Sequence, residues 1–117
     1  AVRFLGVRTD VADLMQAMDV FLFPSLFEGF GIAALEAQAA GLPAVVSKRI
    51  PPECMITDCI SSLELDFSAE IWANRLIEAA KNERKNRFSE IKKAGFDIVE
   101  NAKFLQDFYI RAASGEK

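Results

Sequence analysis

The sequence predicts an α/β fold in which a partial parallel sheet of three or four strands is flanked by helices. Short apolar runs alternate with segments of helical periodicity from the first residue to Ser47, which is the pattern of strands joined by crossover helices. The run Phe21-Leu22-Phe23 has no polar alternation, as in strands that are covered on both faces. With 51% hydrophobic and 26% charged residues, the 117-residue chain is typical of one globular unit with a core.

The first elements are predicted as a strand, a helix and a second strand. The first strand covers Ala1 to Gly6, and a turn follows it. Either Thr9 or Asp10 caps the helix. The apolar residues of this helix recur at helical spacing and are Val11, Leu14, Met15 and Met18. The second strand begins at Phe21 and ends at Pro24, because proline has no backbone N–H to continue a ladder.

The stretch after Pro24 is predicted to form a turn, a helix and a strand that ends at Ser47. In the turn, Gly29 and Gly31 are predicted to adopt dihedral angles that other residues avoid. The alanine-rich helix runs from about Gly31 to Ala40, where the following glycine and proline end it.

The second half of the chain is predicted to be mainly helical. A loop with one helical turn covers residues 48–60, and a short strand covers residues 63–67, where apolar and polar residues alternate. Ser68 caps the next helix. A charged helix or pair of helices covers residues 82–96, and Asp97 begins a last helix with an apolar stripe.

A ligand site is predicted at the carboxyl ends of the strands. The predicted strands end at Gly6, Pro24 and Ser47, and parallel sheets bind ligands at this edge. The helix that begins near Gly31 points the N–H groups of residues 30–33 toward the same edge. These groups have no partner within the helix, and together with the helix dipole they favour an anion.

Two carboxylates accompany this anion site. Glu28 precedes the helix, and Glu36 lies roughly 7–8 Å further along its axis at about 1.5 Å per residue. A carboxylate beside a bound anion is expected to face hydroxyl groups. The pair therefore predicts an extended polar ligand, while Ser25 in the same turn is interpreted only as a turn former.

The composition argues against several classes of protein. The chain has no histidine, which excludes Ser-His-Asp and Cys-His nucleophiles and leaves too few ligands for zinc. No metal site is therefore predicted. The net charge of −3, without a basic patch, argues against nucleic acid. No apolar run approaches the roughly 20 residues of a membrane span. Cys54 and Cys59 do not suggest a disulfide framework, so a cytoplasmic location is expected.

The motif Glu28-Gly-Phe-Gly-Ile-Ala-Ala-Leu-Glu36 resembles the E-x7-E signature of retaining glycosyltransferases with the two-domain GT-B fold. Phe23-Pro24-Ser25 is similar to sequences of the same family. The segment from Glu36 to Pro43 is most similar to its capsular and exopolysaccharide branch. The resemblance covers residues 1–113 and implies a partial, Rossmann-like C-terminal donor-binding domain. Residues 114–117 are expected to form a tail.

The resemblance also implies roles for individual residues. Glu28 would be the catalytic residue, which binds hydroxyl groups of the donor sugar and favours an oxocarbenium-like transition state. Glu36 would bind the ribose, and the N–H groups of residues 30–32 would hold the sugar and the diphosphate. Residues 6–8 would lie against the base, with a plain surface turn as the alternative. The implied donor-binding residues are Gly6, Val7, Arg8, Glu28, Gly29, Phe30, Gly31, Ile32 and Glu36.

The implied function is that of a fragment of a retaining glycosyltransferase, which transfers a sugar from a nucleoside diphosphate sugar to a polysaccharide or lipid-linked glycan. The nucleotide sugar is a substrate, and neither a cofactor nor a metal is expected. The acceptor would bind through an absent N-terminal domain, so this chain alone is expected to be inactive. The alternatives are a non-catalytic nucleotide-binding or regulatory α/β module and a purely structural domain.

Two surfaces are predicted to lack a partner, namely the apolar stripe of residues 98–112 and the sheet edge at residues 3–5. Self-association is therefore expected. The charge run of residues 81–93 is interpreted as a solvated face. Its alternative is peripheral contact with an anionic membrane, which would place the protein at the inner face of that membrane.

Overall fold

The computed structural model describes residues 1–115 and confirms the predicted fold class. Within these residues, a sheet holds the parallel strands β1 (Phe21–Phe23), β2 (Ala44–Ser47) and β3 (Ile60–Leu63), in the order β1-β2-β3. The helices are α1 (Val11–Ala17), α2 (Ile32–Ala39), α3 (Ala69–Ala79), α4 (Phe88–Lys93) and α5 (Ile98–Ser114), and Pro52–Cys54 forms a 3₁₀ turn. Glu116 and Lys117 of the predicted tail lie outside the described residues.

The sheet separates two apolar clusters. All four residues of the central strand β2 are buried. On one face, β2 contributes Val46 to a cluster with Met15 of α1 and Ala34 of α2. On the other face, Val45 packs with Trp72 of α3. The strand is thus covered on both faces, as in a parallel sheet whose crossover helices lie on either side.

Helix α2 begins and ends at glycines, as predicted. Gly31 is its N-cap residue and has a φ of +94°. At the other end, Gly41 has a φ of +65°, and a Cβ atom there would lie 2.2 Å from the carbonyl oxygen of Lys85. The loop that contains Lys85 therefore packs directly on the end of α2, where only glycine fits.

Arg84, in the same loop, ties two helix ends together. Its Nη2 atom donates to the carbonyl oxygens of Met15 at 2.7 Å and of Ala40 at 3.0 Å, and its Nη1 atom donates to that of Met18 at 3.3 Å. These carbonyls lie at the ends of α1 and α2, where helical partners are missing. The interpretation of this charge run as a solvated face therefore does not hold for Arg84, which is half-buried.

Arg87, in the same charge run, is largely buried and forms two ion pairs. Only 14% of its side chain is exposed, and it pairs with Glu90 at 2.9 Å and with Asp58. The hydrogen bond to Glu90, supported by the charge of Asp58, raises the pKa of the Arg87 guanidinium. The rest of the predicted 82–96 helix is irregular up to α4, which is the helical part of this stretch.

The predicted N-terminal strand is not formed. Residues 1–10 contain neither strand nor helix, and Phe4 and Val7 are 96% and 103% exposed. A strand needs a hydrogen-bonded neighbour, and this apolar segment does not pair with β1. The prediction of a strand from Ala1 to Gly6 is therefore wrong, and β1 is an edge of the sheet.

Strand β3 lies earlier in the chain than the last predicted strand, which covered residues 63–67. It covers Ile60–Leu63, and Ile60 pairs with Ala44 in parallel register. The alternating segment 63–67 instead leaves the sheet after Leu63, and Leu65 packs beside Trp72 from the loop. Apolar residues in a loop can thus imitate the alternation of a strand.

The last helix begins as predicted and stands apart from the core. The side chain of Asp97 accepts hydrogen bonds from the N–H groups of Val99 and Glu100, at 2.9 Å and 3.1 Å, which is an N-cap. No residue of α5 is buried. None of the helices within the described residues combines the length and the apolar run of a membrane span.

Candidate functional site

The turn after β1 holds Glu28 within a small hydrogen-bond network. Ser47, at the end of β2, donates its hydroxyl to the carbonyl oxygen of Ser25 at 2.6 Å. The Ser25 hydroxyl lies 2.9 Å from the Phe27 carbonyl oxygen and 3.3 Å from Oε2 of Glu28. Two strand ends therefore meet at the half-buried Glu28. Ser25 is more than the turn former that the sequence suggested.

The start of α2 presents free N–H groups beside this turn. Among the described residues, the N–H groups of residues 30–33 have no hydrogen-bond partner. Gly31 holds the backbone in the left-handed region, and a Cβ atom at this position would lie 3.3 Å from the Ile50 side chain. Gly29 has no positive φ, so the prediction of a special conformation was correct for Gly31 and wrong for Gly29. The geometry permits an anion at the helix start.

Phe30 contributes its backbone to the site, whereas its ring packs in the protein. The ring lies against Phe96, with centroids 5.4 Å apart, and it also contacts the core cluster on the α1 and α2 face. The phenyl ring therefore fixes the turn against the fold.

Glu36 lies on the exposed side of α2, where it lines a cavity of about 290 Å³ between α1 and α2. The other lining residues are mainly apolar and are Val11, Ala12, Met15, Gln16, Ala39 and Ala40. A flat group could pack on this apolar surface while the carboxylate accepts hydrogen bonds from hydroxyls. Glu28 does not line this cavity. The two carboxylates are thus presented by different parts of the same helix–turn unit.

Residues 6–8 do not occupy the predicted strand end, because the strand before them is absent. Gly6 turns the chain with a φ of +68°. Arg8 pairs with Asp10, and this hydrogen bond lowers the pKa of the Asp10 carboxyl group. Asp10 occupies the N-cap position of α1 but its side chain makes no capping bond. Residues 6–8 are not among the residues that line the cavity beside Glu36.

Gln38 is a fully buried polar residue that the sequence analysis missed. Its Nε2 atom donates to the carbonyl oxygens of Cys54 at 2.7 Å and Ala34 at 3.1 Å. Its Oε1 atom accepts from the N–H groups of Ile56 and Thr57, both at 3.0 Å, and from the Thr57 hydroxyl at 3.1 Å. A polar residue on the core-facing side of an alanine-rich helix was the available signal.

The loop that Gln38 holds lies beneath the start of α2. The thiol of Cys54 donates to the Gly31 carbonyl oxygen at 3.3 Å. Burial, and to a lesser degree the charge of Glu28, raises the pKa of this thiol, so it stays protonated as a donor. Cys54 and Cys59 are both free thiols. Within the described part of the chain, His, Cys, Asp and Glu residues form no group that could hold a metal ion.

Comparisons with known proteins found a matching family and several relatives. A family model described as "Glycosyl transferases group 1" matches residues 1–82, which include Glu28 and Glu36. The putative glycosyltransferase EpsF of Bacillus subtilis (strain 168) is 32% identical over 92% of this chain and 29% of its own length.

Two further relatives carry more specific names. The UDP-Gal:alpha-D-GlcNAc-diphosphoundecaprenol alpha-1,3-galactosyltransferase of Escherichia coli is 32% identical over 91% of this chain and 29% of its own. The N,N'-diacetylbacillosaminyl-diphospho-undecaprenol alpha-1,3-N-acetylgalactosaminyltransferase of Campylobacter jejuni is 31% identical over 87% of this chain and 25% of its own length. The chain thus spans less than a third of these relatives. No solved structure gives a significant match.

Proposed function

The chain belongs to the glycosyl transferases group 1 family, and from this premise we propose that it is the donor-binding part of a retaining glycosyltransferase. The parent enzyme would transfer a sugar from a nucleoside diphosphate sugar to a polysaccharide or lipid-linked glycan. The observation that carries the proposal is that Glu28, Glu36 and the free N–H groups of residues 30–33 belong to one helix–turn unit within the matched segment.

The diphosphate of the donor binds at the start of α2. Both the free N–H groups and the helix dipole favour negative charge there. When the bond to the sugar breaks, charge grows on the departing diphosphate, and donors that are already in place stabilise it. Gly29, Phe30, Gly31 and Ile32 act through their backbone. No cofactor or metal is assigned to this site.

The two carboxylates bind the two ends of the donor. Glu36 accepts hydrogen bonds from the ribose hydroxyls, and the nucleoside packs on the apolar lining of the adjoining cavity. Glu28 accepts hydrogen bonds from the sugar, and its charge favours the positive character of the transition state. In the parent enzyme, Gly6, Val7 and Arg8 would contact the base from outside this cavity, which they do not line.

The acceptor binds outside this chain. The relatives are more than three times as long as the matched segment. The names of two of them refer to a sugar linked to diphosphoundecaprenol. A lipid-linked acceptor would bring the enzyme to the cytoplasmic face of a membrane, as a peripheral protein. The chain alone would bind the donor weakly and transfer no sugar.

The isolated chain is proposed to self-associate. The apolar side chains of α5 are exposed, and so are those of the segment before α1. Apolar patches of this extent usually mark interaction surfaces. Analytical ultracentrifugation over a wide range of concentrations tests this part, and a strictly monomeric chain would contradict it.

Calorimetric titration with UDP, GDP, ADP and their sugar conjugates tests the donor site. Glu36→Gln should weaken binding of both the nucleotide and its conjugate, and Glu28→Gln should weaken only the conjugate, each by about tenfold, since hydrogen bonds to charged groups contribute about 1.5–3 kcal/mol. Glu83→Gln, at an exposed position, is the matched control.

Binding of one nucleotide sugar that neither substitution weakens would refute the proposed roles. Equal affinity for the nucleotide with and without its sugar would favour the alternative, a nucleotide-binding or regulatory module.

A further inference from the structure

We infer that Ser25 and Ser47 are positioning residues that hold the Glu28 side chain in one orientation. The inference rests on the proposed function of Glu28 and adds to it how the protein orients this carboxylate. The chain of hydrogen bonds runs from the end of β2, through the backbone and hydroxyl of Ser25, to the carboxylate.

Ser47 is the rigid end of this chain. It is 0% exposed and belongs to the central strand, where it pairs with Leu63 of β3. Its hydroxyl donates to the Ser25 carbonyl oxygen over a short distance of 2.6 Å. The turn after β1 is therefore fastened to the neighbouring strand at the residue that also approaches Glu28.

Ser25 transmits this restraint to the carboxylate. Its hydroxyl has one hydrogen and two acceptors within reach, the Phe27 carbonyl oxygen at 2.9 Å and Oε2 of Glu28 at 3.3 Å. The charge of the carboxylate strengthens the longer contact. The Glu28 carboxylate is thus restrained through its Oε2 atom.

The expected consequence is selective. Without the Ser25 hydroxyl, the Glu28 side chain is free to sample other rotamers, so contacts with the sugar weaken. Glu36 and the N–H groups of α2 are untouched, so contacts with the nucleotide persist. A variant that merely loosened the fold would weaken both.

The first measurement needs no ligand. NMR three-bond couplings report the χ1 rotamer of Glu28 in the wild-type chain, in Ser25→Ala, Ser25→Thr and Ser47→Ala, and in the control Ser62→Ala, which removes a half-buried hydroxyl from β3. One rotamer is expected in wild type, Ser25→Thr and the control, and averaged couplings in the two alanine variants. Averaged couplings in the wild-type chain, or no change in Ser25→Ala, would overturn the inference.

The second measurement uses calorimetry with UDP and UDP-glucose, and with the GDP and ADP pairs. Ser25→Ala should lose about 3- to 10-fold in affinity for the sugar conjugate, with the affinity for the bare nucleotide unchanged and rescue by Ser25→Thr. Equal losses for nucleotide and conjugate would overturn the inference. A fixed Glu28 rotamer in a chain that binds none of these ligands would refute the donor site and leave the positioning of Glu28 intact.

Discussion

Replacing Gly41 by alanine should destabilise the protein far more than its exchange of one hydrogen for a methyl group suggests. The residue has a φ of +65° at the end of α2, and the added Cβ atom would lie 2.2 Å from the Lys85 carbonyl oxygen. Ordinary contact begins at 3.4 Å, so the loop would have to move by roughly 1 Å. That loop is held by Arg84, which is bonded to the ends of α1 and α2.

The magnitude follows from three contributions. Left-handed backbone costs a residue with a Cβ atom about 1–2 kcal/mol, and overpacking against a fixed neighbour adds about 1–3 kcal/mol. The reduced freedom of alanine in the unfolded chain offsets about 0.4–1 kcal/mol. The free energy of unfolding should therefore fall by about 1–5 kcal/mol, a large share of the roughly 5–15 kcal/mol of an ordinary domain.

Gly95→Ala is the matched control. Gly95 has a φ of +88°, but an added Cβ atom would meet nothing within 4 Å. It should show the conformational cost alone, roughly 1 kcal/mol. Urea unfolding can be followed by the fluorescence of Trp72, the single tryptophan, which is buried. If both variants lost the same stability at an unchanged m-value, the contact between Gly41 and Lys85 would not constrain the fold and the reasoning would be wrong.

Two further predictions concern the polar network and the last helix. Gln38→Leu leaves the Cys54 carbonyl and the N–H groups of Ile56 and Thr57 without their partner. It should lower the free energy of unfolding in urea by about 2–4 kcal/mol. The control Gln106→Leu, on the exposed face of α5, should change it by no more than about 0.5 kcal/mol, and equal effects of the two variants would contradict the prediction. The N–H groups of Glu100 and Val99 lower the pKa of Asp97, so its stabilising effect on α5 is present above the usual Asp range and is lost as the pH falls through the lowered pKa. Far-UV circular dichroism should show helix loss in that acid range, and Asp97→Asn, which caps without charge, should remove this part of the pH dependence.

The parts of the fold that local chemistry determines could be predicted from the sequence. Helix α2 lies between glycines that its backbone requires, and the N-caps Ser68 and Asp97 both accept hydrogen bonds from N–H groups of the helices they begin. The two strands that were predicted wrongly differ from these elements, because a strand also depends on a distant partner. The segment before Gly6 has the composition of a strand and no neighbour, and the position of β3 is set by its register with β2.

The candidate site shows the same division. Glu28 and Glu36 are candidates from their spacing around Gly31, and their roles stay predictions. The residues that hold them could not be found in this way, since their contacts cross the chain: Ser47 reaches back to Ser25, and Gln38 reaches forward to the loop after the 3₁₀ turn. The local sequence of Ser47 does not distinguish it from a solvated serine, and the position of Gln38 on the core-facing side of α2 indicates burial without identifying its partners.

The bonds of Arg84 also connect the two helices on either side of the cavity beside Glu36. The guanidinium bridges the end of α1 at Met15 and the end of α2 at Ala40, and both residues line the cavity beside Glu36. Arg84 does not line this cavity, but its bonds to both helix ends fix the distance between the helices that form it. If the cavity binds the nucleoside as proposed, substitutions in the loop around Arg84 should change nucleoside affinity without altering any contact with the ligand.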